Sequence, residues 1–288
     1  SPWVDARLPD GTRLHAVLAC LAEPGTCISL RVPARRSMTL EELRSGGSID
    51  GRTAAVLAGL VGNKAAFLVT GGTGSGKTTL LGVLLSLVPD DQRIVIVEDS
   101  RELNPDHPHA VRMECRPPNA EGAGAVTMTD LVRQALRMRP DRLVVGEVRG
   151  PELCDLLTAM NTGHEGSLTT VHANSAIDAL SRLETLSSMS DVTLPVETVR
   201  DQINGAIDII IQLERDATGA RRESTIEALT SRRREAYTTM PLLRYRHAMR
   251  RSSQGTFEFR GIPEPMAQRV LRHGQSLPDS LKVIGAAS

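Results

Sequence analysis

The nine residues GGTGSGKTT, Gly71 to Thr79, constrain the fold more than any other stretch of the chain. They fit the spacing G-x-x-x-x-G-K-[ST], with the apolar run AFLVT before them and a helical pattern over Thr78–Val88 after them, which together read as strand, glycine loop, helix. Glycines let the backbone bend until successive N–H groups point inward at phosphate oxygens, and the helix N-terminus adds the positive end of its dipole. In such a cradle Gly71, Gly72, Thr73, Gly74, Ser75, Gly76, Lys77, Thr78 and Thr79 surround the phosphates of a nucleotide. Lys77 reaches the β and γ phosphates, and Thr78 offers a hydroxyl to Mg²⁺. The chain has three lysines, and one of so few standing where the motif needs a cation argues against an incidental glycine-rich turn.

The surrounding pattern suits that cradle. From residue 66 onward short apolar strands alternate with helices: RIVIVE, a strand around VRMEC, a helix opening at Thr129, RLVVGE, and a helix after Pro151. Nearly continuous apolar strands separated by helices predict a parallel sheet covered on both faces, an α/β core. Upstream, WVDARLPDGTRLHAVL reads as two alternating strands around the Asp10-Gly11 turn signal, TCISLRV as a third, and PARRS as a linker into helical TLEEL and IDGRTAAVLAGLVG. Beyond Ser190 the pattern predicts a helix over Val196–Asn204, an apolar strand IDIIIQL, several shorter strands and a helix near Pro263–His273.

Hydrolysis needs more than a cradle: one carboxylate for the metal and another for the attacking water. RLVVGE ends at Glu147, and RIVIVED ends at Glu98 and Asp99. Acids at the carboxyl tips of neighbouring strands project toward the crevice where open α/β sheets bind ligands; a solvated strand end is the plainer alternative. The stretch TGHEGSLTTVHANS, residues 162–175, places His164 and His172 eight apart among small and hydroxylated residues, which suits neither a packed helix nor an ordinary loop. No Cys or further His accompanies them at ligand spacing, which argues against a metal centre.

Composition removes some classes. With 288 residues and 40% apolar content the chain buries a proper core, and its zero formal net charge provides no overall field toward nucleic acid or anionic lipid. Aromatics at 2% leave little for stacking on single strands. The four cysteines, Cys20, Cys27, Cys115 and Cys154, have neither CxxC nor zinc spacing and read as reduced thiols. No apolar run approaches the roughly 18 residues of a membrane span, and SPWVDARLPDG lacks the marks of a signal peptide, so a cytosolic chain is expected. The absence of an initial Met suggests a fragment of something longer. Residues 231–251 hold seven arginines against one carboxylate, Glu235; a solvated surface and an anionic contact both remain open there.

Taken together, VDARLPDGTRLHAVL, GGTGSGKTTLL, RIVIVEDSREL, RPPN, LVRQALRMRPDRLVVGEVRGPE and MNTGHEGSLTTVHANS resemble the secretion-traffic ATPases of type II and type IV secretion and type IV pilus systems. The nearest likeness is to the CpaF/TadA-type ATPase of Tad pilus assembly. The resemblance runs from residue 4 to about 215 and thins after about 229, where SRRREAYTTMPLLRYRHAMRR departs from the usual ending. It implies an α/β fold with a RecA-like P-loop NTPase core over residues 36–190. A partial N-terminal β-rich domain and linker would occupy 1–35, and a C-terminal α+β subdomain 191–288. It implies a Mg²⁺-dependent ATP hydrolase acting as a homo-hexamer, peripheral at the cytosolic face of the inner membrane, gripping platform proteins there and binding no specific nucleic acid.

The same resemblance assigns roles. Glu98 would orient or deprotonate the attacking water, Glu147 would hold Mg²⁺ through water, and His172 would sense the γ-phosphate, with His164 nearer the connection to the helix after Glu147; packing or capping is the alternative, more so for His164. Arg13 and Arg31 are implied as fingers on a domain that swings over the nucleotide about PARRS, and Arg137 and Arg139 as cations acting across a subunit boundary, although each could be a surface ion pair. ATP rather than GTP also follows from the resemblance, alongside the absence of an N-K-x-D guanine signature. Two other readings keep the cradle: an assembly scaffold with little turnover, and a nucleic-acid translocase, which neutral charge and scarce aromatics disfavour.

Overall fold

The computed structural model describes residues 1–33, 36–119, 121–190, 194–215, 221–231, 235–246, 255–270 and 283–284. The chain divides into two compact units, Ser1–Arg36 and Ser37–Ser288.

The first unit is a three-stranded antiparallel sheet of β1 (Trp3–Arg7), β2 (Arg13–Val17) and β3 (Cys27–Arg31), in that order. Asp10 sets the first turn: its carboxylate accepts from the Thr12 N–H and hydroxyl, and Gly11 takes φ 85°, a conformation glycine adopts without a Cβ clash.

The second unit begins with α1 (Leu40–Ser45), closed by a Thr39/Glu42 capping box, and α2 (Gly51–Gly62), capped by Asp50. There follow β4 (Phe67–Gly71), α3 (Lys77–Leu85), β5 (Ile94–Glu98), β6 (Ala110–Glu114), α4 (Met128–Leu136), β7 (Arg142–Val145), α5 (Glu152–Asn161), β8 (Leu168–Val171), α6 (Ala176–Ser187), α7 (Val196–Ala206) and β9 (Ile209–Arg215). Then come β10 (Arg221–Leu229), β11 (Thr239–Arg246), β12 (Thr256–Phe259), β13 (Ile262–Pro263), α8 (Glu264–Val270) and β14 (Val283–Ile284). The large sheet has the order β12-β11-β10-β9-β4-β8-β7-β5-β6, with β9 through β6 parallel and β10 to β12 added antiparallel. A parallel sheet needs helical crossovers, so both faces are covered. Phe67 and Val69 point with Ile94, Ile96, Ile209 and Ile211 into the core beneath α2 and α3. Leu68 points with Val95, Val97, Val145 and Ile210 into the core beneath α4 to α7.

Several sequence expectations shift here. The apolar run RLVVGE leaves the sheet at Val145, so Glu147 sits in the following loop rather than at the strand's last position. The helix expected to open at Thr129 is capped by Thr127, whose side chain accepts from the Asp130 N–H. The stretch around the two histidines contains β8, a buried strand near the middle of the sheet, because three of the four residues of LTTV are β-branched and its hydroxyls bond within the sheet: Thr169 Oγ1 donates to Val145 O and Thr170 Oγ1 to Gly146 O, both at 2.8 Å. After β9 the strands are longer than anticipated, with nine residues in β10 and eight in β11. Of the seven arginines in 231–251, Arg244 and Arg246 lie on β11; the other five lie outside the described residues. Among the described residues no helix is long and apolar enough to cross a membrane.

Candidate active site

Parallel strands present all their carboxyl ends at one edge, and the order β4-β8-β7-β5 decides what stands beside what. The glycine loop leaves β4, His172 follows β8, Glu147 follows β7 and Glu98 closes β5. With neighbouring strands about 4.8 Å apart, these four groups form a row along one edge.

The loop takes its shape from glycine. Gly71, Gly74 and Gly76 have φ of 147°, 71° and 103°, and Gly76 is the N-cap of α3. A Cβ on Gly71 would stand 2.4 Å from Leu213 O and 2.6 Å from Ser75 Oγ, whereas around Gly72 and Gly74 there is open space for a ligand to approach the backbone. Thr73 is exposed and Thr78 and Thr79 are half-exposed. Ser75 is buried, its hydroxyl without a hydrogen-bond partner.

Lys77 is buried and donates from Nζ to Gly71 O at 2.9 Å and Gly72 O at 3.0 Å, with His172 Nδ1 at 3.2 Å. Desolvation holds its pKa below the usual lysine value, with Glu147 opposing and Arg149 reinforcing that change. His172 Nε2 lies 3.1 Å from Glu147 Oε1. Desolvation, then the Lys77 charge, lower the pKa of His172, so the imidazole is neutral at pH 7. The contacts fix its tautomer: Nδ1 accepts from Lys77 while Nε2–H donates to Glu147. Arg149, which sequence reasoning did not single out, donates from Nη2 to Glu147 Oε2 at 2.7 Å. A chain of contacts thus runs Lys77–His172–Glu147–Arg149.

Glu98 is 3% exposed. Its Oε1 accepts from the N–H groups of Glu102 and Leu103, both at 3.0 Å, and its Oε2 has no hydrogen-bond partner. Burial outweighs those two hydrogen bonds and pushes the carboxyl up to about 7. Gly146 makes room for it, since a Cβ there would stand 2.9 Å from Glu98 Cγ. That glycine was legible in VVGE only once β5 and β7 were known to be neighbours.

Within the second unit, His164, Arg137 and Arg139 lie apart from this row. His164 Nδ1 bonds Pro140 O at 3.0 Å, ahead of the N-terminal end of β7. The four residues of β8 separate the two histidines, so they stand at opposite edges of the sheet, and His164 serves the loop packing that was its alternative reading. Arg137, the C-cap of α4, and Arg139, at φ 52°, also precede β7 and belong to that far edge. Arg13 and Arg31 are register partners in the first unit, and Arg7 faces Arg13 from the other side, so three guanidinium groups share one face. Like charges directly opposite on a sheet are unfavourable unless an anion neutralises them.

Among the described residues no group of three His, Cys, Asp or Glu could hold a metal ion. That is compatible with Mg²⁺, which takes one or two protein oxygens and fills its octahedron with phosphate and water. Thr78, in the first turn of α3, and Glu147, after β7, offer side-chain oxygens at that edge of the sheet.

Residues 1–273 match the family described as type II/IV secretion system protein. The Mycobacterium tuberculosis protein MT3759, named for conjugal transfer, is 48% identical over 234 residues, covering 79% of this chain and 66% of that protein, just under two thirds of its length. The type IV secretion system protein PtlH of Bordetella pertussis is 39% identical over 252 residues, covering 77% of this chain and 73% of PtlH. Among solved structures, the VirB11 ATPase from the Brucella suis type IV secretion system, in complex with sulphate, is 29% identical. It has a TM-score of 0.56 and matches over 79% of this chain and 76% of that one.

Proposed function

The chain belongs to the family of type II/IV secretion system proteins, and from that membership we propose that it is a Mg²⁺-dependent ATP hydrolase. It would work as a homo-hexamer at the cytosolic face of a membrane-embedded secretion or conjugal-transfer machine. Assembly of a Tad-type pilus is the narrower form of this proposal, supported by the runs that resemble the CpaF/TadA type. The α/β core is of the RecA-like kind seen in the VirB11 structure. The observation that carries the reading is the row of Lys77, His172, Glu147 and Glu98 along one sheet edge beside a glycine cradle.

In this reading the phosphates replace the carbonyl contacts of Lys77. Thr78 and Glu147 would hold Mg²⁺, which when bound neutralises charge on the β and γ phosphates. Glu98 is built as a general base: two backbone donors hold Oε1 in place, and the unpartnered Oε2 is left to accept the proton of the attacking water. Its carboxyl at about 7 matches that task near neutral pH. His172 couples the two halves of the site. Drawing Lys77 toward phosphate removes the donor from Nδ1 and changes the hold of Nε2 on Glu147, so the imidazole registers whether a γ-phosphate is present. The paired Arg13 and Arg31 are proposed as cations that meet the triphosphate, supported by their shared face and by the resemblance.

The test is steady-state phosphate release by the assembled wild-type chain and by Lys77→Ala. Turnover is expected for the first and its loss for the second. An assembled wild type that binds ATP without releasing phosphate would favour the scaffold reading instead.

A further inference from the structure

Glu223 on β10 has the burial of a core residue and the chemistry of a ligand-binding one. It is 1% exposed, and neither side-chain oxygen has a hydrogen-bond partner. Buried polar atoms in folded proteins are nearly always paired, so an acid with both oxygens unsatisfied calls for an external partner. Glu223 also lines a cleft of about 380 Å³, within the range of small-molecule sites. Leu43, Ile49, Leu80 and Leu213 form apolar walls, and Gly76 and Thr79 form the side shared with the glycine loop and the first turn of α3.

We propose that this cleft receives the adenine of ATP and that Glu223 reads its edge, one oxygen accepting from the exocyclic amine while the other donates to the adjoining ring nitrogen. The inference rests on the reading of the glycine loop as a triphosphate site. A nucleotide whose phosphates occupy the N-terminus of α3 extends past Gly76 and Thr79 into the cleft, where a flat base finds aliphatic walls and, once the Glu223 side chain turns toward it, two oxygens without a hydrogen-bond partner.

The pairing needs a proton on Glu223, and its surroundings supply one. Burial first, and the nearby Asp50 carboxylate second, push the carboxyl up to about 8. Arg215, Arg221 and Arg222 also line the cleft, but none bonds the carboxyl oxygens. Arg222 instead donates to Gly47 O and lies over the Tyr245 ring. Above that range the carboxylate has no proton to donate and faces the ring nitrogen lone pair, so one bond is lost and a repulsion gained.

The test compares binding of a non-hydrolysable ATP analogue and of inorganic tripolyphosphate by the full chain between pH 6.5 and 9.5, in wild type, Glu223→Gln and Glu223→Leu. In wild type, analogue affinity should fall about tenfold as pH rises through about 8, and tripolyphosphate should show no such step. Glu223→Gln, whose amide always carries both a donor and an acceptor, should keep analogue affinity and lose the step. Glu223→Leu should weaken the analogue tenfold or more and leave tripolyphosphate unchanged, its fold checked by thermal denaturation. Wild-type affinity and pH dependence for the analogue in both variants would overturn the role of Glu223 while leaving the triphosphate site intact. Failure of wild type to bind either probe would overturn both.

Discussion

Glu98 carries the heaviest demand in the proposed mechanism, because its carboxyl is buried with Oε2 unpartnered, and water must reach that oxygen for it to act as a base. Two backbone N–H groups satisfy Oε1, and burial raises the carboxyl to about 7. Single-turnover hydrolysis should therefore rise with pH and level off above an apparent value near 7; a flat profile between pH 6 and 8 would remove Glu98 as the base. Burial and the Lys77 charge lower the pKa of His172, so any step it adds lies on the acid side of the ordinary histidine value. Gly146 tests the same geometry from beneath. Gly146→Ala places a Cβ against Glu98 Cγ, so phosphate release should drop tenfold or more while ATP binding stays near wild type.

The elements explain why so much of the site was readable and where reading failed. Three strands of the parallel sheet are short apolar runs leading to a chemical group, and FLVTGGTGSGKTT, RIVIVED and RLVVGE announce both the strand and the group. Their relative positions are not local information. Only the order β4-β8-β7-β5 sets His172 between Lys77 and Glu147, and only the pairing of β5 with β7 shows why residue 146 is glycine. LTTV was missed as a strand because four residues with two hydroxyls give a weak periodic signal, and its threonines become intelligible once Val145 O and Gly146 O stand opposite them. Arg142 was passed over as one arginine among many, yet it is fully buried and donates to Gln92 Oε1, Gly166 O and Val61 O, with burial lowering its pKa to about 10. It ties the loop before β8 to the end of α2. Arg142→Leu should lower unfolding stability by about 3 kcal/mol, since it leaves buried acceptors without a donor, and denaturant unfolding measures it.

Taken whole, the molecule keeps two acids at its core, and the cost appears in its response to pH. Glu98 and Glu223 hold their protons to about 7 and about 8 when folded but ionise near an ordinary glutamate value when unfolded. Between those limits the native state binds more protons than the unfolded one, so stability without nucleotide falls as pH rises, by about 1.4 kcal/mol per pH unit for each group. Glu223→Gln should match wild type in thermal midpoint at pH 4 and exceed it at pH 9; a wild type equally stable at both would contradict the burial argument. Balanced net charge leaves the chain without a general attraction to nucleic acid. Everything converges on whether Glu98 and Glu147 support cleavage of a nucleotide held in the glycine cradle. Phosphate release by Glu98→Gln, with ATP binding followed in the same preparation, tests this most directly. The account predicts undiminished binding with turnover reduced at least a hundredfold, and phosphate release at the wild-type rate would contradict it.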